Sequence, residues 1–330
     1  MAGSLEGLRV LDCTHLIAGA YCSMMLADFG ADVVKIEPIG GESTRGRPEN
    51  PFKPFDFMNR NKRAIAIDMA SPEGAELVRT LAATADVFVE NYRPGSLDRM
   101  GLGYDALAAV NPGLIYASVS GFGLTGPYRE RAGLDLVVQA MSGLMSVTGP
   151  RGAQEPVAVG VPISDLSAGL FATIGVLAAL EHRRKTGEGQ RLETSLLEAA
   201  LAYLPWEAGQ ALTTGAVAAP NGTRHRLAAP YEALRTGDGW MVVGVTSQKL
   251  WLKLCEALGT PELAGEADFA HGAQRLENRD ALQARLESIL ASETTAHWVE
   301  RIAAGGVPCG PINDIAQALA DPQIVARGML

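Results

Sequence analysis

No CxxC pair occurs in this sequence: its four cysteines, Cys13, Cys22, Cys255 and Cys309, are scattered. That spacing excludes a disulfide framework and a zinc knuckle, and it fits a reducing compartment. The five histidines, His15, His182, His225, His271 and His297, show no HExxH spacing, so no metal is expected. Positive charge is short as well. A formal charge of −9 leaves no basic stripe for a nucleic acid and no attraction to an anionic membrane. No basic start followed by an apolar core opens the chain, so no secretory signal is predicted. The longest apolar run, residues 166–180, is shorter than the ~18 residues a membrane span needs. GxSxG, P-loop and EF-hand spacings are missing too, which leaves those common classes without support. The expectation from these absences is a soluble, cytoplasmic protein with neither nucleic acid nor membrane as partner.

What the chain does have is apolar material and glycine. At 330 residues, length favours about two domains. Hydrophobic residues make up 47% and charged ones 20%, enough to fill a large core. The 37 glycines imply many tight turns and places where backbone comes close to a ligand. An anionic ligand would need clustered Arg and Lys, or helix N-termini, against the global sign of charge.

The first half alternates strands and helices. Leu8-Arg-Val-Leu-Asp-Cys reads as a buried strand, and residues 20–29 as a helix ended by Gly30. Further strands are expected at Asp32-Val-Val-Lys-Ile-Glu, Arg63-Ala-Ile-Ala-Ile-Asp, Val87-Phe-Val-Glu-Asn and Leu114-Ile-Tyr-Ala-Ser-Val. Ser71-Pro-Glu-Gly caps a helix running to about Ala83, with Ser as N-cap and Pro at the first position. Strands separated by helices make βαβ units and a mainly parallel sheet. Residues 135–185 read as mostly helical, followed by the strand Gln190-Arg-Leu-Glu-Thr and a helix from Leu196. A Gly/Pro/Ala-rich stretch, residues 215–221, reads as a linker and puts a domain boundary near residue 220. Beyond it, residues 230–245 form a hairpin turning at Gly237-Asp-Gly, and helices follow from Gln248, Arg279, Thr295 and Ile312.

Four features bear on chemistry. Gly121-Phe-Gly-Leu-Thr-Gly126 satisfies GxGxxG after a strand, but Pro127 follows at once and no ribose-binding acid lies downstream at the right distance. Its glycines are better read as letting backbone approach another ligand. Asp165, in Pro162-Ile-Ser-Asp-Leu-Ser-Ala-Gly, stands just before a long apolar helix. Position alone favours an N-cap that satisfies orphan N–H groups. The same position suits a nucleophile, because a helix N-terminus favours an ionised carboxylate and a thioester is an activated acceptor. His15 follows the first strand in Asp12-Cys-Thr-His-Leu-Ile-Ala-Gly, where α/β sheets bind ligands, though a structural hydrogen bonder is the commoner role. Of two basic clusters, His182-Arg-Arg-Lys185 fits a solvated helix end, and Asn59-Arg-Asn-Lys-Arg63 is a weak candidate for phosphate contact.

Several blocks together resemble the class III CoA-transferases, the group that includes formyl-CoA transferase, carnitine CoA-transferase and the α-methylacyl-CoA racemases. They are Val10-Leu-Asp-Cys-Thr-His-Leu-Ile-Ala-Gly, Gly30-Ala-Asp-Val-Val-Lys-Ile-Glu, Asn59-Arg-Asn-Lys-Arg and Ala85-Asp-Val-Phe-Val-Glu-Asn-Tyr-Arg-Pro-Gly. Leu97-Asp-Arg-Met-Gly-Leu-Gly-Tyr, Lys185-Thr-Gly-Glu-Gly-Gln and Gly306-Val-Pro-Cys-Gly-Pro-Ile complete the ordered series. The resemblance implies a Rossmann-like α/β large domain with a mainly parallel sheet, over residues 1–220. It implies a smaller α+β domain over residues 221–330, and a homodimer of two chains threaded as linked rings. Coenzyme A would enter as an acyl-CoA substrate, with a small carboxylic acid as the other partner and no metal. Asp165 would attack the thioester to give a mixed anhydride, and then an aspartyl-CoA thioester. The CoA contacts implied are His15, Ala18, Ile67, Asn91, Tyr92, Arg99 and Arg131, of which Arg99 would hold phosphate oxygens in a bidentate fork.

Three departures shape the expectation. The racemases carry histidine where Leu134 stands in Arg131-Ala-Gly-Leu-Asp135, and racemisation needs a base on each face of the α-carbon. That favours CoA transfer over the alternative, an acyl-CoA racemase or isomerase. Formyl-CoA transferases have a polyglycine loop where this chain has Asn221-Gly-Thr-Arg-His-Arg226, which argues against oxalate as acceptor. Family members usually continue past Ala326-Arg-Gly-Met-Leu330 and return to the large domain, a return expected to be absent here. From that comes the rival of another class, a non-catalytic CoA-binding protein.

Overall fold

A computed structural model describes residues 3–46 and 52–330. They fall into two compact units. One takes the chain up to Gly149 and then Gln154–Ala219, the other Pro150–Ala153 and Pro220–Leu330.

The first unit winds β1 (Arg9–Cys13), α1 (Ala18–Asp28), β2 (Asp32–Glu37), α2 (Pro54–Met58) and β3 (Lys62–Ala66), then α3 (Pro72–Ala82) and β4 (Val87–Glu90). It continues through α4 (Ser96–Arg99), α5 (Tyr104–Val110), β5 (Ile115–Ser120), α6 (Asp135–Ser142), α7 (Leu144–Val147) and α8 (Ile163–Thr186). β6 (Gln190–Ser195), α9 (Leu196–Leu201) and α10 (Pro205–Thr214) close it. All six strands are parallel, in the order β3-β2-β1-β4-β5-β6. The expected parallel, Rossmann-like sheet is therefore present. Its strand order reverses between β1 and β4, and the crevice beyond the carboxyl ends there is where open α/β sheets bind ligands.

Both faces of the sheet are covered, which is why its central strands read as continuous apolar runs. Val10, Val33, Val87, Val89, Ile115 and Ala117 pack on one side with Cys22 and Leu26 of α1 and Ala172 and Val176 of α8. The alternate residues Leu11, Cys13, Ile36, Phe88 and Tyr116 pack on the other, with Val78 of α3 and Leu107 of α5. α3 starts as its sequence dictates, the Ser71 hydroxyl accepting from the Gly74 N–H. At 24 residues, α8 is long and apolar enough by composition to cross a membrane. Its small residues Ala168, Gly169, Ala172 and Ala179 are instead buried in this unit. A Cβ on Gly169 would stand 2.6 Å from the Ala18 carbonyl oxygen, so only glycine lets α8 come this close to α1.

One helical expectation holds with a break and another needs correction. Residues 135–185 are mostly helical, but helix stops at Val147 and resumes only at Ile163, and the intervening chain is irregular. Its Val159 N–H is anchored by the buried Gln139 side chain at 2.9 Å. In the second unit, the helix expected from Ile312 starts at Ile315, because Asp314 accepts from the Gln317 N–H and so caps it there.

The second unit holds an antiparallel sheet, β7 (Tyr231–Arg235), β8 (Trp240–Gly244) and β9 (Cys309–Pro311). Around it pack α11 (Gln248–Leu258), α12 (Gly272–Glu277), α13 (Arg279–Leu290) and α14 (Thr295–Ala304), and the short α15 (Ile315–Leu319) and α16 (Pro322–Ala326) follow. Met241, Trp251, Leu254, Leu286 and Trp298 form its core.

Candidate active site

The β1 exit is held from below by a buried ion network. Asp12 accepts from the Lys62 ammonium at 2.8 Å, the Ser23 hydroxyl at 2.8 Å and the Thr14 N–H at 2.9 Å. Burial opposes its ionisation, but the charges of Lys62 and Lys35 and these hydrogen bonds hold the Asp12 carboxyl below its ordinary value. Lys35, fully buried, donates to the Thr14 carbonyl at 2.8 Å and pairs with Glu42 at 3.1 Å. Glu42 in turn accepts the Leu16 N–H at 2.9 Å. These bonds pin residues 14–16 in a conformation in which Leu16 has φ 57°, a costly region for a branched side chain.

Across the β1–β4 crevice, His15 and Asn91 clasp each other. The His15 N–H donates to Asn91 Oδ1 and Asn91 Nδ2 donates to the His15 carbonyl, both at 2.8 Å. The His15 ring meets Tyr92 edge to face at 4.6 Å between centroids. Burial, with the Lys35 charge adding to it, holds the imidazole below its ordinary pKa. Ala18 opens α1 on the same edge.

Asp165 reaches this edge on α8. That helix runs into β6 through residues 187–189 and packs on β5 and β6, so it begins at the carboxyl edge of the sheet. Gly169, one turn after Asp165, lies against Ala18. Asp165 is not the N-cap. Pro162 holds that position, and Asp165 sits two residues inside the helix start. The capping work is done by Asp135, whose Oδ1 accepts the Ser164 N–H at 2.8 Å. The Asp165 side chain is half-buried and makes no hydrogen bond or ion pair with any described residue. Burial, and then the Asp135 charge, push its pKa up to about 6, the reverse of what the helix terminus alone implies. An unpaired, half-buried carboxylate is costly to ionise, and groups with raised pKa values concentrate where chemistry uses them.

The remaining candidates are spread along the same unit. Ile67 follows β3, but its side chain is buried in the core. Arg99 ends α4, exposed, with a 3.2 Å contact to the Ser96 hydroxyl. Arg131 lies exposed in the loop after β5, its guanidinium 5.3 Å from the Tyr128 ring centre. Leu134 precedes α6 and is 63% exposed. The GxGxxG stretch opens no helix, which agrees with its rejection as a dinucleotide site. In the cluster at residues 59–63, Lys62 is buried against Asp12, while Arg60 pairs with Asp28 and Arg63 with Asp32 at the surface. Sequence reasoning missed Asp135, Glu42 and Lys35, whose partners lie far along the chain. Among the described residues no group of His, Cys, Asp and Glu is arranged to hold a metal ion.

With this geometry in hand, the chain compares closely with known proteins. The model of CoA-transferase family III matches residues 5–330. Succinyl-CoA:glutarate CoA-transferase of Mus musculus is 39% identical over 333 residues, covering 99% of this chain and 76% of that protein. Acetyl-CoA:oxalate CoA-transferase of Acetobacter aceti is 39% identical over 335 residues, covering 99% and 85%. The crystal structure of a CaiB/BaiF family protein from Brucella suis superposes with a TM-score of 0.90 at 39% identity, covering 100% of this chain and 89% of that one. The chain belongs to CoA-transferase family III.

Proposed function

We propose that this chain moves CoA from an acyl-CoA to a carboxylic acid, with Asp165 as the covalent carrier. The observation that carries the reading is an unpartnered, half-buried carboxylate in the first turn of α8, at the ligand-binding edge of the sheet. With a pKa of about 6 it is mostly ionised at neutral pH yet not over-stabilised, which suits a nucleophile. A carboxylate oxygen attacks the thioester carbon, the C–S bond breaks, and CoA leaves as thiolate. The thiolate then attacks the Asp165 carbonyl carbon of the anhydride, releasing the donor acid and leaving an aspartyl-CoA thioester. The acceptor carboxylate attacks that thioester, whose C–S bond breaks to give CoA thiolate and a second anhydride. The thiolate then attacks the acceptor's carbonyl carbon, releasing the new acyl-CoA and regenerating the Asp165 carboxylate. His15, Ala18, Asn91 and Tyr92 border this edge and would contact the CoA substrate, with Arg99 and Arg131 toward its phosphates.

Relatives named for glutarate and for oxalate are equally similar to this chain, so identity does not choose the acceptor. Leu134, with no ionisable group, supports transfer over racemisation. The homodimer reading is supported by an apolar stripe on α8, where Leu170, Phe171, Ile174 and Leu177 stay exposed. The test is a transfer assay with succinyl-CoA and acetyl-CoA as donors against a panel of small mono- and dicarboxylic acids. CoA esters of at least one acid are expected. A 2-methylacyl-CoA substrate in D₂O should gain no α-deuterium. Exchange without transfer would establish the racemase reading instead.

A further inference from the structure

Glu90 is a charged side chain buried in the middle of the parallel sheet, and nothing in the transfer chemistry uses it. It ends β4, in register with Cys13 of β1 and Ser118 of β5. Its Oε2 accepts the Tyr92 N–H at 2.8 Å, so the carboxyl bridges the last residue of the strand and the turn that follows. A cavity of about 30 Å³, room for roughly one water, lies against it. Arg93, Asp98, Tyr104, Tyr116 and Arg191 face the same space.

We propose that Glu90 is a positioning residue for acyl-CoA binding: its carboxylate, holding the Tyr92 N–H, fixes the turn that presents Asn91 and Tyr92 to the ligand. The inference rests on the reading above that Asn91 and Tyr92 contact CoA. Its geometry is that of a side-chain turn, in which an acceptor bonds the backbone two residues on and freezes the intervening peptide. Asn91 then clasps His15, and Tyr92 packs on its ring, so one carboxylate sets both sides of the crevice. Burial pushes the Glu90 pKa up to about 7, opposed by hydrogen bonds from Ser118 and the Tyr92 N–H and by the Arg191 charge. Asp98 adds to the rise, and Cys13, the register neighbour, stays neutral because burial raises its own pKa. An ionised acceptor holds an N–H more strongly than a neutral one, so the turn tightens as pH rises through neutrality.

The experiment measures the Kd of CoA and the KM and kcat for the acyl-CoA donor, from pH 6 to 8.5. The proteins are the wild type, Glu90→Gln, Ser118→Ala and Tyr92→Ala. Glutamine is isosteric with the protonated acid and keeps a neutral acceptor for the Tyr92 N–H. Phosphate, thiol and His15 titrations occur in wild type and Glu90→Gln alike, so the ratio of their affinities isolates Glu90. The ratio should be near unity at pH 6 and rise to about five-fold in favour of wild type at pH 8. kcat should be unchanged. Removing the Ser118 hydroxyl should move the inflection to higher pH, since it takes away a bond that favours the anion. A ratio flat across pH, or a Glu90→Gln effect on kcat alone, overturns the proposal. If Tyr92→Ala binds CoA as tightly as wild type, the ligand does not use this segment and both readings fall. If Tyr92→Ala weakens binding while the ratio stays flat, only the role of Glu90 is overturned.

Discussion

Replacing Asp165 by asparagine separates two accounts of this residue, because only one of them predicts a gain in stability. A helix-capping acid would cost about 0.5–2 kcal/mol on change to alanine but is replaced by asparagine with almost no loss, because the two cap equally well. A half-buried carboxylate beside Asp135 predicts a gain instead. Its pKa rises from 3.8 in the unfolded chain to about 6 in the folded one. The folded state therefore binds the proton more tightly. Stability from this group is fully present below pH 3.8 and is lost as pH rises through about 6. At ~1.4 kcal/mol per pKa unit the cost at pH 8 is about 3 kcal/mol, and solvent access to a half-buried group reduces it to about 1–2 kcal/mol. Asp165→Asn should thus be more stable than wild type by about 1–2 kcal/mol at pH 8, with the gain shrinking toward pH 5. Transfer activity should be lost in the same variant. Calorimetric or denaturant unfolding of both proteins at pH 5, 6.5 and 8 reads the difference. A variant no more stable than wild type at pH 8 would refute the reasoning and return Asp165 to a structural role.

Asp135→Asn keeps an acceptor for the Ser164 N–H but removes a negative charge near Asp165, so the pKa of Asp165 should fall. The acidic limb of the kcat/KM profile should then move to lower pH, and no movement would contradict the coupling. Lys62→Met leaves the buried Asp12 with one of its two lysine partners, and should cost about 3–5 kcal/mol in denaturant unfolding. A cost under 1 kcal/mol would mean that the network does not hold the β1 exit. Ile174→Asp places a charge on the exposed stripe of α8, where the side chain is 60% exposed. Light scattering after size exclusion should show dimeric wild type and monomeric variant; a monomeric wild type would remove the stripe as an interface.

The parallel sheet was legible because burial on both faces writes itself as short apolar runs, as in residues 87–89 and 115–117. The turn at residues 236–239 was legible because its glycines and aspartate have local reasons to be there. What escaped notice was set by contacts between distant residues. Lys62 read as part of a cation cluster open to phosphate, because nothing local reveals Asp12, 50 residues away, as its partner. Asp165 read as a cap because local pattern cannot show that Asp135, folded back from α6, already satisfies the Ser164 N–H. The clasp of His15 with Asn91 exists only once β1 and β4 are neighbours.

Covalent trapping tests the central claim most directly. The protein is incubated with an acyl-CoA donor, quenched in acid, digested and examined by mass spectrometry across the α8 peptide. An adduct on Asp165 is predicted, of a mass corresponding to the acyl group or to CoA and released by hydroxylamine. An unmodified Asp165 in a protein that still transfers CoA would contradict it.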